Sequence, residues 1–448
     1  MTTSDPRLTP VAYDHAYLDD AIRAASVAAV AVTQGLPDAA ASDPVAHGWM
    51  RGFPPPPDRR VVLDPTDNRF PRSRWAFSHV REMRPTATVW RGSGPVAELP
   101  RGPAALDAEL DALPFTAATG EACTLGASHA LTYVDGIAIL HRGRIVHERY
   151  FGALDDHTPH LAMSVTKSFI GTLVTWLAEE KAIDPARSAP FYVPELAGGG
   201  FADASVRQVL HMTTGVAYDE DYTRPESGFR AYGLAANLAR PQPGETPGDI
   251  CGYLTTIGKL EPHDARFTYR TVNTEVLAWI LRRVTGLPVA KLLSERIWQK
   301  LGAEADAYFI VDALGTESCG GGLSTTLRDL ARFGEMMRCE GAFNGRQILP
   351  AAVVQAIREG GDRRQFLDGD GPHYPLLRGG SYSHQWWHGH DAHGVFEGRG
   401  IHGQRLHVDP RAEMTIARYA SHPFAASSGN DPYAMPAFRA VALRLMAG

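Results

Sequence analysis

Two hairpin signals, one near residue 140 and the other near residue 410, constrain this chain most. Ile137-Ala138-Ile139-Leu140 and Arg144-Ile145-Val146-His147-Glu148-Arg149-Tyr150 flank Arg142-Gly143, where a tight turn fits between two strands. Far downstream, Leu406 and Val408 alternate before Asp409-Pro410-Arg411-Ala412, and Met414 and Ile416 alternate after it. The Asp-Pro pair favours a turn there. Between them the pattern is mostly helical, with helices expected over Val276–Arg283, Val289–Gln299 and Ser324–Arg338, and a closing helix over Ala437–Met446 with Pro436 at its first turn. Strands at both ends and helices between them imply an α+β architecture: one antiparallel sheet completed by distant parts of the chain, with a helical subdomain at its side.

Composition narrows the function classes. At 448 residues the chain has room for two to four domains. Its 44 Lys+Arg stand against 50 Asp+Glu, and no basic run reaches five residues, which argues against nucleic-acid binding. No apolar stretch approaches the ~18 residues of a membrane span. Met1–Arg7 lacks a basic region leading into an apolar core, and Cys123, Cys251, Cys319 and Cys339 are too scattered for a disulfide framework or a zinc knuckle. A reducing, cytoplasmic setting is expected. Residues 36–114, rich in Pro, Gly and Arg, carry few clear elements. Pro54–Pro57 is expected as polyproline II, and an alanine-rich helix is expected within Tyr17–Gln34.

The sharpest chemical pattern is Met163-Ser164-Val165-Thr166-Lys167. Val165, Phe169, Ile170, Leu173, Val174 and Leu177 recur at helical spacing, so Ser164 falls at a helix start and Lys167 one turn later on the same face. Unpaired N–H groups at a helix start favour developing negative charge. A lysine neutralised by burial can take the serine proton there. A serine at this place is ordinarily just an N-cap, and Ser-x-x-Lys is common by chance, so the pattern needs partners.

Ser164-Val165-Thr166-Lys167 resembles the Ser-x-x-Lys box of the serine β-lactamase and penicillin-binding superfamily. The chain is similar in particular to its 6-aminohexanoate-dimer (nylon oligomer) hydrolases and class-C-like carboxylesterases. The likeness runs from Trp75 onward through Met212-Thr213-Thr214-Gly215-Val216, Asp219-Glu220-Asp221-Tyr222, Phe267-Thr268-Tyr269, Asn273-Thr274-Glu275, Gln385-Trp386-Trp387 and Gly400-Ile401-His402-Gly403-Gln404. It implies a β-lactamase-like catalytic domain over residues 116–448, with the helical subdomain inside about 165–380, and an N-terminal extension over 1–115. Tyr269 matches the tyrosine of the second box. The asparagine usual two positions later is replaced by Thr271, with Asn273 further on. The third box, usually Lys-Thr-Gly on an edge strand, aligns with Gly398-Arg399-Gly400, without the lysine, or alternatively with His402-Gly403-Gln404.

By the same resemblance, Ser164, Lys167 and Tyr269 are the catalytic set. The N–H of Ile401 joins that of Ser164 in an oxyanion hole, and Tyr222 and Trp387 place aromatic groups near the scissile bond. Tyr222 belongs to the loop Tyr218–Gly233, which is expected to close over substrate. Gly233 stands where efficient dimer hydrolases use an acid to hold the substrate's ammonium, and a second tuning position falls near the Gly320-Gly321-Gly322 run. Gly398, Gly400 and Gly403 also spell a dinucleotide-binding pattern, but strand rather than helix follows. His384, His388, His390, His393, His402 and His407 read as solvated or hydrogen-bonded loop residues rather than a metal site. The expected protein is a serine hydrolase of small esters and linear amides, without metal or cofactor, with no nucleic-acid or membrane partner and with room for a homodimer. A β-lactamase or D,D-peptidase and a non-catalytic sensor are the alternatives. The absent third-box lysine weighs against the first, and joint retention of Ser164, Lys167 and Tyr269 against the second.

Overall fold

A computed structural model describes residues 5–11, 19–61, 69–239, 241, 244–246 and 248–448. The first hairpin is strands β1 (Val134–His141) and β2 (Arg144–Tyr150). Its turn residues Arg142 and Gly143 are both left-handed, at φ 51° and 74°, which matches the twist of two paired strands. The helix α1 (Val165–Glu179) follows, then α2 (Gly228–Ala235), α3 (Thr271–Thr285) and α4 (Leu327–Arg338). The chain then returns through β3 (Ser381–Ser383), β4 (Trp386–His388), β5 (Phe396–Gly400), β6 (Gln404–Asp409) and β7 (Met414–Ala420), and closes with α5 (Asp431–Met446).

The seven strands form one sheet in the order β3-β4-β5-β6-β7-β1-β2. Antiparallel pairing of β7 with β1, from Met414 opposite His141 to Tyr419 opposite Gly136, joins the two distant hairpins. Alternation along β1 sends Ile137 and Ile139 to a core shared with Phe438, Val441 and Leu445 of α5, and Ala138 and Leu140 to the main core shared with α1 and α4. Both faces of the sheet are therefore covered. Every residue of α1 from Val165 to Leu177 is buried, which makes it the central helix of the molecule.

Several expectations need correction. Ser324 lies in a strand, Leu323–Thr325, and Thr326 then caps α4 through its side chain on the Asp329 N–H. Pro436 is inside α5, which starts five residues earlier with Pro432 in its first turn. The Gly398-Arg399-Gly400 strand is not an edge: the short β3 and β4 lie outside it. The last part of the Tyr218–Gly233 loop is helical. Pro57 opens a short 3₁₀ turn over Pro57–Arg59 rather than continuing an extended run. The alanine-rich helix spans Asp20–Ala31, and Tyr17 and Leu18 lie outside the described residues.

The region before residue 115 is tied into the body. Thr86–Val89 pairs with Ala307–Ile310 in a second, four-stranded sheet. Trp49, Val61, Trp75, Ala76 and Met83 form a small core of their own. Among the described residues no helix is long and apolar enough to cross a membrane, and all four cysteines are free thiols.

Candidate active site

Ser164 sits immediately before α1 with its side chain making no capping bond, so the commonplace N-cap role is absent. Met163 before it is held left-handed at φ 47°, a strained setting for a side chain of this size. One turn into the helix, the Lys167 ammonium donates to Ser164 Oγ at 2.9 Å and to the Gly320 carbonyl. Lys167 is only 1% exposed. Burial pushes its pKa down to about 8, against the upward pull of the Glu220 and Glu275 carboxylates.

Gly320 fixes the far side of the lysine. Its N–H donates to Glu275 Oε1 at 2.7 Å, and the buried Glu275 also accepts from the Cys319 N–H and the Tyr232 hydroxyl. A Cβ on Gly320 would stand 2.3 Å from Thr271 Cγ2, so this position excludes any side chain without rearrangement.

The Tyr269 ring centroid lies 5.1 Å from Lys167 Nζ, and its ring stacks on Trp387 at 5.5 Å. Burial and then Glu220 drive the phenol pKa well above 10. Tyr269 therefore holds its proton. Asn273 is in the core, its Oδ1 accepting from Thr214 Oγ1 at 2.8 Å, and it lines no part of the cavity. Thr271 takes the place near the site, its N–H donating to Glu220 Oε2 at 2.8 Å and its hydroxyl to Glu220 Oε1. Glu220 Oε1 also accepts from the Tyr222 hydroxyl at 3.2 Å. Tyr222 is half-buried, with its ring edge-on to Phe229.

Two chambers meet at Ser164, Tyr222 and Ile401, which line both. The smaller, about 210 Å³, is walled by Tyr269, Tyr374, Trp387 and Arg399. The larger, about 420 Å³, extends under Tyr232, Gly233 and Gly321. The structure thus brings all six sequence-predicted residues, Ser164, Lys167, Tyr269, Tyr222, Trp387 and Ile401, to one place, with Lys167 behind the wall.

The glycines of β5 make this approach possible. A Cβ on Gly398 would come within 3.0 Å of Ser168 Oγ, and one on Gly400 within 2.9 Å of the Ala162 carbonyl. Between them, Arg399 reaches the floor of the smaller chamber, a position that motif reading passed over because it sought a lysine. Its guanidinium is engaged by Asp431 and, at 3.4 Å, by Glu397, in a buried network that also holds Arg405 and His407.

The histidines of the C-terminal half have separate partners, His390 with Ser381 at 2.6 Å, His393 with Asp409 at 2.8 Å, His407 with Glu397 at 2.6 Å and His402 with the His422 carbonyl at 2.7 Å. Against expectation, His388 and His407 are buried in strands rather than placed in loops.

Comparison with known proteins agrees with this geometry. The chain is 35% identical over 393 residues to the 6-aminohexanoate-dimer hydrolase of Paenarthrobacter ureafaciens, covering 86% of this chain and 90% of that protein. Its fold superposes with a TM-score of 0.79 and 30% identity on a solved structure named "Putative 6-aminohexanoate-dimer hydrolase from Bacillus anthracis", covering 88% of this chain and 99% of that one. EstCE1, a hydrolase with promiscuous acyltransferase activity, shares the fold alone, at 16% identity and a TM-score of 0.54 over 69% of this chain and 93% of that one. Residues 125–435, which carry Ser164, Lys167, Tyr269 and the β5 strand, match the Beta-lactamase family model, and the chain belongs to that family.

Proposed function

We propose that this protein is a serine hydrolase that cleaves small esters and linear amides through an acyl-enzyme, as the name of its Paenarthrobacter relative suggests. The observation that carries the reading is the contact of an entirely buried lysine, with its pKa near 8, on an uncapped serine at a helix start. Neutral Lys167 removes the Ser164 proton as Oγ attacks the carbonyl carbon. The Ser164 and Ile401 N–H groups take the developing oxyanion. Tyr269, protonated at neutral pH, passes a proton to the departing alcohol or amine as the bond to it breaks. Tyr222 contacts the nitrogen of an amide leaving group, and Trp387 holds the Tyr269 ring in place. Water then attacks the acyl carbon and gives its proton to the Tyr269 oxygen, while Lys167 returns its proton to Ser164 Oγ as the acid leaves, which restores all three groups.

In this reading residues 116–448 are the catalytic domain and residues 1–115 an extension that supplies part of a wall. Four free thiols suit a reducing compartment such as the cytoplasm. Arg399, tied to Asp431 and Glu397, is occupied and does not substitute for the third-box lysine that greets a substrate carboxylate. This favours ester and amide hydrolysis over the peptidase alternative.

The test is a short-chain p-nitrophenyl ester with wild type beside Ser164→Ala. Wild type gives a burst, with the acyl mass increment on the Ser164 peptide and labelling by a fluorophosphonate. Retention of most activity in Ser164→Ala would refute the assignment.

A further inference from the structure

The two chambers differ in charge as well as size. Tyr269, the proton donor to the leaving group, lines only the smaller one, so the leaving group departs there and the acyl chain occupies the larger. Arg69, Arg84, Arg224 and Arg230 all line that larger chamber, against one carboxylate among the described residues, Glu220. Glu220 is saturated by Tyr222 and by two bonds from Thr271, which hold it at the wall near the serine. Gly233, one turn along α2 from Arg230, places no acid in the chamber. Arg84 is only 6% exposed, and its guanidinium donates to the carbonyls of Asn237 and Leu238. Arg224 pairs with Asp219 at 2.8 Å and Arg230 with Glu245 at 3.1 Å, and neither of these acids lines the cavity. Arg69 is exposed and makes no ion pair with another described residue. Phe77, Leu161, Met163 and Ile310 add apolar surface to the same chamber.

A chamber of about 420 Å³ whose lining joins apolar side chains with four arginines fits an acyl chain that finishes in an anion. We infer that the enzyme selects half-esters and half-amides of short dicarboxylic acids, the free carboxylate pairing with Arg69, with Arg84, Arg224 and Arg230 in the same lining, while Ser164 attacks the other end. The inference rests on the serine-hydrolase reading and gives it a substrate class. It also reverses the sign of the group for which an acid at position 233 would be built, since an ammonium would meet the Arg69 guanidinium there.

Three isosteric substrates decide it: the p-nitrophenyl monoester of adipic acid, p-nitrophenyl hexanoate, and p-nitrophenyl 6-aminohexanoate. Wild type is expected to favour the carboxylate ester over the neutral one by about tenfold in kcat/KM, and the neutral over the ammonium ester, with the preference carried by KM and shrinking in about 0.5 M NaCl. Arg69→Gln, at an exposed position that leaves packing alone, lowers the carboxylate-to-neutral ratio. Gly233→Asp lowers it too and raises turnover of the ammonium ester, because a Cβ there meets nothing closer than Ala239 Cβ at 3.4 Å. A neutral ester cleaved as well as the carboxylate ester, or a ratio unmoved by both variants, overturns the inference and leaves the hydrolase reading standing. No turnover of any of the three, or equal turnover by Ser164→Ala, overturns both.

Discussion

In the proposed mechanism Lys167 must be neutral to accept the Ser164 proton, and burial favours this by lowering its pKa to about 8, below that of a lysine in water. The sign is fixed: the reactive form is the deprotonated one, so kcat/KM on a neutral ester rises with pH, about tenfold per unit below pH 8, and levels above it. A limb centred above pH 10 would instead implicate Tyr269, whose burial pushes its phenol well past the ordinary value. Lys167→Ala is expected to lose nearly as much rate as Ser164→Ala, because groups that act as one unit fail together. In the proposed mechanism Tyr222 has a narrower task. Esters carry good leaving groups and need no proton donor beyond Tyr269, whereas an amide nitrogen does, so Tyr222→Phe should lower amide hydrolysis several-fold more than ester hydrolysis. Equal losses on the two substrates would remove Tyr222 from leaving-group chemistry.

At the scale of elements, the site exists because β5 passes against the start of α1 with glycine at both contact points. In Gly400→Ala the new Cβ would meet the Ala162 carbonyl and Gln404 Cβ at 2.9 Å and Met163 Cβ at 3.1 Å. Such overpacking costs about 1–3 kcal/mol. It also moves Ile401 relative to Ser164, so the burst rate is expected to fall by far more than the stability loss explains, read from stopped-flow kinetics beside chemical denaturation. An unchanged burst rate would separate Ile401 from the oxyanion site. These same elements mark what sequence could supply. The hairpins were readable because their turns are local, as at Arg142-Gly143. The nucleophile helix was readable because its apolar period and the Ser164–Lys167 spacing coincide. The interior position of β5 was not readable, because it depends on β3 and β4, strands of three residues with no period to detect. Ser324 falls within a helical pattern because a strand of three residues runs straight into the cap of α4. The role of Arg399 was hidden because its partners, Asp431 and Glu397, come from different elements.

At the scale of the whole molecule, the segment before residue 115 has little secondary structure, so its pattern says almost nothing, yet Arg69, Phe77 and Arg84 reach the larger chamber from it. One buried charge pair locks this segment to the main sheet. Arg74 lies 3.3 Å from Asp135 at the head of β1, and donates as well to the Ala39 carbonyl and to Ser42 Oγ, so it binds two stretches of the N-terminal segment and the sheet together. Both side chains of the pair are 2% exposed. The other Asp135 oxygen is met by His160 Nε2 at 3.3 Å and by the Ser421 hydroxyl, from the second sheet and the end of β7. A buried pair of this kind need not add net stability, but breaking it strands a carboxylate in the interior. Arg74→Met is therefore expected to destabilise by about 3–5 kcal/mol, and Arg74→Met combined with Asp135→Asn by less than the single change, since the stranded charge is gone. Chemical denaturation of the two single variants and the double variant measures the coupling. The lock also bears on specificity: loosening it frees the segment that carries Arg69 and Arg84, so Arg74→Met should lower the carboxylate-to-neutral ester ratio below the denaturation midpoint, while Ser164 still forms its acyl adduct. A loss of under about 0.5 kcal/mol, the size of an ordinary surface change, would show that the N-terminal segment is held by its apolar contacts around Trp49 and Trp75 instead.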